Sequence, residues 1–478
     1  VEPKQPPLFL GSKGWKGTIG DNFTFQNVRM VCGAIAHYLH KEGVKKPRLV
    51  VGFDGRFMGK QFAQQAAEEL VSHSCTVYLC SDPVPAALLA HAVLAEKADG
   101  GVMLGASDEP YACSGITFRG RNGKLVSRQE LESIQAKIPP LLDSGKLSDR
   151  NLREKGTRKI HEVAPEEGYF GALDSLLQTG AFGSWELPVV LDFCNGSGVG
   201  VMDRYMERFA LGKRLFKRND FSDPTFGGFR PMPDAQRVRA VASKVRELSA
   251  ALGLVLDGDA SGFAIVDDAA EPVGGGEFLA LVAEHLYRNR GFSGNVARSL
   301  AASHQVDRVA AIHGAETVAV PEGFPGILDA LGNAGVSFGG DENGALALSS
   351  HVPEKDGILA CLLALEMVAM RGTPLSELRK ELRQQIGSFH SHRMEVRLKS
   401  DAQREQLLDK LRHKVQTFAG LRVSAMQQGD GMFFDLSHDD IDSWLFVRPS
   451  GREPSLQVFW ESSSREDFEA IRKEVSML

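Results

Sequence analysis

Short runs of contiguous apolar residues alternate along the chain with stretches whose apolar positions recur at helical spacing. Arg48 to Phe53 (RLVVGF) reads as a buried strand. Before it, Val28, Val31, Ile35, Tyr38 and Leu39 form a helix stripe, with Gly43 as its C-cap. After it, Phe62, Ala66, Leu70 and Val71 make a second stripe. Cys75 to Leu79 and Gly101 to Leu104 are the next strands, and the latter ends in the polar loop Gly105 to Pro110. Strands separated by helical stretches predict a parallel sheet with crossover helices.

The alternation continues. Pro188 to Asp192 is a strand running into Asn195-Gly196-Ser197-Gly198-Val199-Gly200 and a helical stretch. Gly253 to Asp257 opens the loop Asp257-Gly258-Asp259-Ala260-Ser261-Gly262, and Phe263 to Val266 returns. After Gly291 come the strand Asn295 to Leu300, the loop Gly339 to Gly344 and a long apolar helix from about Lys355 to Arg371. The last ninety or so residues differ. Met394 to Leu398, Trp444 to Val447 and Leu456 to Trp460 read as strands, with one helical stripe over Gln403 to Phe418. The fold class is therefore α/β: three similar mixed α/β units and a C-terminal α+β unit. Their bounds are set at 1–157, 158–272, 273–386 and 387–478, with the charged stretch from Ile138 to Glu167 as the first connection.

Composition narrows the function. Of 478 residues, 43% are hydrophobic and 24% charged, which suits several full-sized cores. The net charge of −6 and the lack of a basic stripe argue against nucleic acid as a partner. The longest apolar run, Ile358 to Leu365, is too short to span a bilayer, so no membrane association is expected. The N-terminus shows no signal pattern, and the six cysteines lack metal-site spacing. A cytoplasmic protein with reduced thiols is the resulting expectation.

Ligands of open α/β sheets bind at loops following strands. Four such loops carry candidate chemistry. Ser107, among small residues, is a nucleophile or phosphoryl carrier, or else a turn residue. Asp257 and Asp259 are two carboxylates suited to one hard cation, or else a hairpin turn. Asp341 and Glu342 accept hydrogen bonds from sugar hydroxyls, or else are simply solvated. Arg448 and Arg452 fork onto phosphate oxygens with Ser450 adding a donor, or else line a surface turn. The Gly196-x-Gly198-x-Gly200 loop is a weak near-match to a dinucleotide fingerprint.

In order, these loops resemble the α-D-phosphohexomutase superfamily, the phosphoglucomutase/phosphomannomutase enzymes. The likeness extends through Gly11 to Gly20, Gly52-Phe53-Asp54-Gly55-Arg56, Phe226-Gly227-Gly228, His351 to Gly357 and Arg448-Pro449-Ser450-Gly451. It implies four domains around a central cleft. It also implies a phosphoserine at Ser107, with Lys16 and His351 as further catalytic residues. Magnesium would be held by Ser107, Asp257 and Asp259, with Asp108 standing in where Ser261 replaces the third aspartate. Asp341, Glu342 and Asn343 would bind the sugar, and Arg448, Ser450, Gly451 and Arg452 its phosphate. The implied reaction moves the phosphoryl group from Ser107 to a hexose phosphate and takes the other one back, with hexose 1,6-bisphosphate as activator. A monomer or a dimer fits equally.

Departures fall on the chemistry. Asp108-Glu109 stands where the family has His-Asn, Gly262 replaces an arginine, Thr117 a lysine, Ser114 an asparagine and Pro325 a lysine, and Lys16 replaces an arginine. Like charge beside a phosphoserine is repulsive unless a cation intervenes. Two readings follow: a divergent mutase, or a degenerate sugar-phosphate-binding or regulatory protein without turnover.

Overall fold

The computed structural model describes residues 14–139, 159–333, 335–414, 416–428, 431–450 and 454–477. The chain forms two compact units. One holds residues up to Pro272 together with Ser350–Gly372, the other Val273–Ser349 with Thr373–Leu478.

The first unit contains two sheets. The six-stranded sheet has the order Trp15–Thr18, Cys113–Gly120, Gly100–Leu104, Arg48–Phe53, Thr76–Cys80, Ile160–Val163. Arg48–Phe53 runs parallel to both Gly100–Leu104 and Thr76–Cys80. These inner strands are almost wholly buried, as crossover helices covering both faces require. Helix Phe25–Lys41 starts where Thr24 accepts the Asn27 amide, and its stripe of Val28, Val31, Ile35 and Leu39 enters the core. The sequence places a connection between Ile138 and Glu167. Part of it is the edge strand Ile160–Val163, parallel to Thr76–Cys80, and residues 140–158 lie outside the described residues.

The second sheet runs Pro272–Val273, Phe263–Val266, Leu252–Leu256, Val189–Asp192, Leu215–Arg218. The return strand predicted at Phe263–Val266 is present and antiparallel to Leu252–Leu256. Helix Gly357–Arg371 starts at Asp356, whose Oδ1 accepts the Leu359 amide, and ends at Gly372 in the left-handed region. The sequence groups this helix with the third α/β unit. It packs against strands Leu252–Leu256 and Phe263–Val266. It is apolar nearly all round, so its pattern fixes burial but not the partner.

The second unit has two larger sheets, besides the two-stranded ribbon of Thr417–Phe418 and Leu421–Arg422. The first has the order Thr317–Val320, Asn295–Ser299, Val336–Gly340, Leu346–Leu348, of which the first three are parallel. The other is fully antiparallel: His390–Arg397, Ser455–Ser462, Ser443–Pro449, Met432–Asp435, Ala425–Gln428. Helices Asp401–Lys414 and Arg465–Val475 supply Leu408, Leu411, Ile471 and Val475 to its core. Among the described residues no single helix is long and apolar enough to cross a membrane.

Candidate functional site

In the first unit, carboxyl ends of strands from both sheets bring three loops together. The serine loop follows Gly100–Leu104, and Ser107 adopts φ +51°, a left-handed conformation rare for a side-chain-bearing residue. Such strain persists only where surroundings over-determine it. Here the surroundings are Arg56. Its Nη1 donates to Pro110 O (2.7 Å) and Cys113 O (2.9 Å). Its Nη2 donates to Ser107 O and Glu109 O (both 2.8 Å), and its Nε to Asp54 Oδ2 (3.0 Å). Asp54 Oδ2 also accepts the Ala106 amide at 3.1 Å. Burial, above all, raises the Asp54 carboxyl, and the Arg56 charge opposes it. A Cβ on Gly105 would lie 2.5 Å from Asp54 Oδ2, so glycine is required there.

The aspartate loop follows Leu252–Leu256. Ser107 Oγ donates to Asp259 Oδ1 at 3.2 Å. A Cβ on Gly258 would lie 2.6 Å from Ser107 O, so this glycine lets the two loops close. Asp257 is buried. Its Oδ2 accepts from Ser261 Oγ at 3.4 Å, while Oδ1 has no hydrogen-bond partner. Burial and then the Asp259 charge push Asp257 well above the ordinary carboxylate range. The third loop, Asn195 to Gly200, buttresses the second. Ser197 donates through N (2.9 Å) and Oγ (3.2 Å) to Gly258 O. Only a five-residue helix, Met202–Met206, follows it, and a dinucleotide cradle needs a longer one.

The two acids after Ser107 are each paired. Arg230 donates through Nε to Asp108 O (3.0 Å) and through Nη2 to Asp108 Oδ2 (3.2 Å). Lys16 Nζ lies 3.2 Å from Glu109 Oε1. Asp108, expected from the sequence to stand in for the missing metal carboxylate, is paired with Arg230. His351 pairs with Asp356, the N-cap residue of helix Gly357–Arg371. The histidine side chain is 2% exposed, and Nε2 meets Asp356 Oδ2 at 2.7 Å, an oxygen that also accepts from Tyr169. Nδ1 makes no hydrogen bond, so the ring supports the N-cap of helix Gly357–Arg371. Gly357 N in turn donates to Ala260 O, anchoring the aspartate loop.

A hard cation fits this oxygen-only set in part. Asp257 presents a buried unpartnered oxygen beside a second carboxylate and the Ser107 hydroxyl. Among the described residues there is no group of three acidic, histidine or cysteine side chains suited to a metal. The third side chain of this loop, Ser261, offers a hydroxyl rather than a carboxylate.

In the second unit, Glu342 follows strand Val336–Gly340. Its Oε2 accepts from Ser299 Oγ (3.3 Å) and its Oε1 from Asn343 Nδ2 (3.2 Å). Asn343 Oδ1 accepts from Arg393 Nη1 at 2.8 Å. Asp341, also expected to bind the sugar, is buried. It is 1% exposed and its Oδ1 accepts the Asn343 and Ala345 amides, so it shapes the loop. Arg448 sits at the end of strand Ser443–Pro449, its Nε on Gln457 Oε1 at 2.8 Å. Its Nη1 and Nη2 lie 3.6 Å from Glu322 Oε1 and Glu342 Oε1. The Ser450 amide donates to Ser455 O at 2.9 Å, while Gly451 and Arg452 lie outside the described residues.

Sequence reasoning passed over three of these residues. Arg56 had a signal, an Asp-x-Arg spacing directly after a buried strand. Glu322 had a weaker one, an acid following an apolar strand. Arg230 had none, because its partner is 122 positions away.

Comparison with known proteins bears on the whole chain. Residues 8–141, 167–272 and 274–386 match the families described as phosphoglucomutase/phosphomannomutase alpha/beta/alpha domains I, II and III. A phosphoglucomutase/phosphomannomutase of Thermococcus kodakarensis is 26% identical over 96% of this chain and 95% of its own. A phosphoglucosamine mutase of Novosphingobium aromaticivorans is 25% identical over 97% and 96%. A crystal structure of a Thermus thermophilus protein assigned as a phosphomannomutase superposes with a TM-score of 0.82, at 26% identity, over 99% of both chains.

Proposed function

The chain belongs to the phosphoglucomutase/phosphomannomutase family of α-D-phosphohexomutases, and from that premise we propose a phosphosugar mutase that uses Ser107 as its phosphoryl carrier. It is an isomerase, an intramolecular phosphotransferase acting on a hexose phosphate. Its relatives carry the names phosphoglucomutase, phosphomannomutase and phosphoglucosamine mutase, and the hexose belongs to that set. In this reading four domains span 1–157, 158–272, 273–386 and 387–478.

The observation that carries the reading is the Ser107 Oγ–Asp259 hydrogen bond on a strained loop gripped by Arg56. The phosphoryl group passes from Ser107 Oγ to a substrate hydroxyl, and the hydroxyl's proton ends on Oγ. Asp259 is placed to hold that proton at Oγ in the dephosphorylated state. Arg230 and Lys16 are the cations nearest the loop's acids, and each comes to a bound phosphate with an acid attached. Magnesium held by Asp257, Asp259 and the serine oxygen would supply charge stabilisation for transfer, with one carboxylate fewer than its relatives offer. Glu342 and Asn343 recognise the sugar, and Arg448 and Ser450 the distal phosphate. Asp341 acts by shaping that loop.

Intact-mass spectrometry after incubation with glucose 1,6-bisphosphate and magnesium tests this. Wild type gains one phosphoryl group on Ser107, and Ser107→Ala gains none. A second reading, a binder without turnover, draws on the missing third carboxylate at Ser261. It predicts no adduct in wild type and sugar-phosphate binding that survives Ser107→Ala.

A further inference from the structure

Ser299, Glu322 and Glu342 follow the carboxyl ends of three adjacent parallel strands, Asn295–Ser299, Thr317–Val320 and Val336–Gly340. Nothing in the reading above uses Glu322. Its side chain is only 3% exposed. Oε2 accepts the Ala301 amide at 3.1 Å, but Oε1 is buried without a hydrogen-bond donor. Among the described residues, Arg448 Nη1 lies 3.6 Å from Oε1, and the Glu342 carboxyl interacts with the same side chain. Two buried acids sharing one guanidinium carry net charge −1 when both are ionised. One proton between them satisfies Oε1 and brings the cluster to zero. Burial first, then the hydrogen bond and charge of Glu342, raise Glu322 to about 8, while Arg448 opposes the shift. Among the described residues, Arg393 also faces the loop, reaching Asn343 from strand His390–Arg397.

The distances describe a guanidinium held but not consumed. Both Arg448–carboxylate separations exceed hydrogen-bond length, whereas Nε is fixed on Gln457 and the plane lies over Phe459 (5.3 Å from its ring centre). We propose that Glu322 is a positioning residue for Arg448: it shares one proton with Glu342, and a phosphate monoester docks on Arg448 only while that proton is present. This rests on the reading of Arg448 as a phosphate-binding residue. An arriving dianion meets a neutral cluster below the pair's titration and a net negative one above it. Binding of the anion above that point must therefore take up one proton.

Calorimetric titration of the full chain with glucose 6-phosphate from pH 6.5 to 9.5, in two buffers of different ionisation enthalpy, reads this directly. Wild type should bind with level affinity up to about pH 8 and then lose about tenfold per pH unit, with close to one proton taken up at pH 9. Glu322→Gln should abolish the fall and bind about thirtyfold tighter than wild type at pH 9.5. Glu342→Gln should abolish it too, which keeps the test available if either variant fails to fold. A wild-type affinity that stays level to pH 9.5 without proton uptake would overturn the proposal, as would a Glu322→Gln curve identical to wild type. Arg448→Ala should weaken binding at least tenfold at every pH. Unchanged binding in Arg448→Ala would instead overturn the assignment of Arg448 to the phosphate.

Discussion

Lys16 Nζ lies 3.2 Å from Glu109 Oε1, joining strand Trp15–Thr18 to the serine loop. Sequence reasoning treats Glu109 as an added negative charge beside Ser107. The structure makes it one half of an ion pair, with only 23% and 11% of the two side chains exposed. Asp108 is balanced by Arg230 in the same way. The acids therefore spend the local cations more than they repel a phosphate. A double-mutant cycle with Lys16→Met and Glu109→Gln should give a coupling of about 1 kcal/mol in denaturant unfolding, each single change costing more than the pair together. Strict additivity would show that the contact carries no energy.

Arg56 places five donors on four backbone carbonyls and one carboxylate. A lysine ammonium keeps the charge but cannot reproduce that fork. Arg56→Lys should cost about 2–4 kcal/mol of stability, because buried acceptors lose their donors. Phosphorylation of Ser107 by the bisphosphate should slow at least tenfold, measured by the rate of mass gain. Wild-type rates in this variant would mean the serine loop holds its shape unaided.

The pH dependence of stability has a definite sign in the second unit. Glu461 is 1% exposed, accepts from His304 N and Trp444 Nε1, and leaves Oε2 unpartnered. Burial raises its carboxyl to about 7, above the value near 4.3 of an unfolded chain. The folded state thus holds the proton more tightly. Stability is full below about pH 4.3 and declines as pH rises toward 7. Glu461→Gln should flatten the melting temperature between pH 5 and 7.5, where wild type falls by several degrees. Parallel curves for the two proteins would count against a raised Glu461.

Strand positions were legible because apolar runs such as Arg48–Phe53 and Leu252–Leu256 are buried on both faces and end in turn residues. Ser107, Asp257 and Asp259 were legible for the same reason, as polar residues on loops that follow strands. What was not legible depends on three dimensions. Asp341 and Glu342 are adjacent and chemically alike, yet one turns into its loop and the other toward Arg448. The catalytic role of His351 is implied by the family resemblance alone, and its side chain is a buried partner of a helix cap. Arg230 reaches Asp108 across 122 positions, a distance no local pattern encodes.

Arg56 grips the serine loop through carbonyl oxygens, which every residue type presents alike. The path of that loop is thus indifferent to which side chains follow Ser107. The pair of side chains after Ser107 can differ without moving the serine, so the architecture leaves the immediate surroundings of Ser107 open to chemical drift while holding its position fixed.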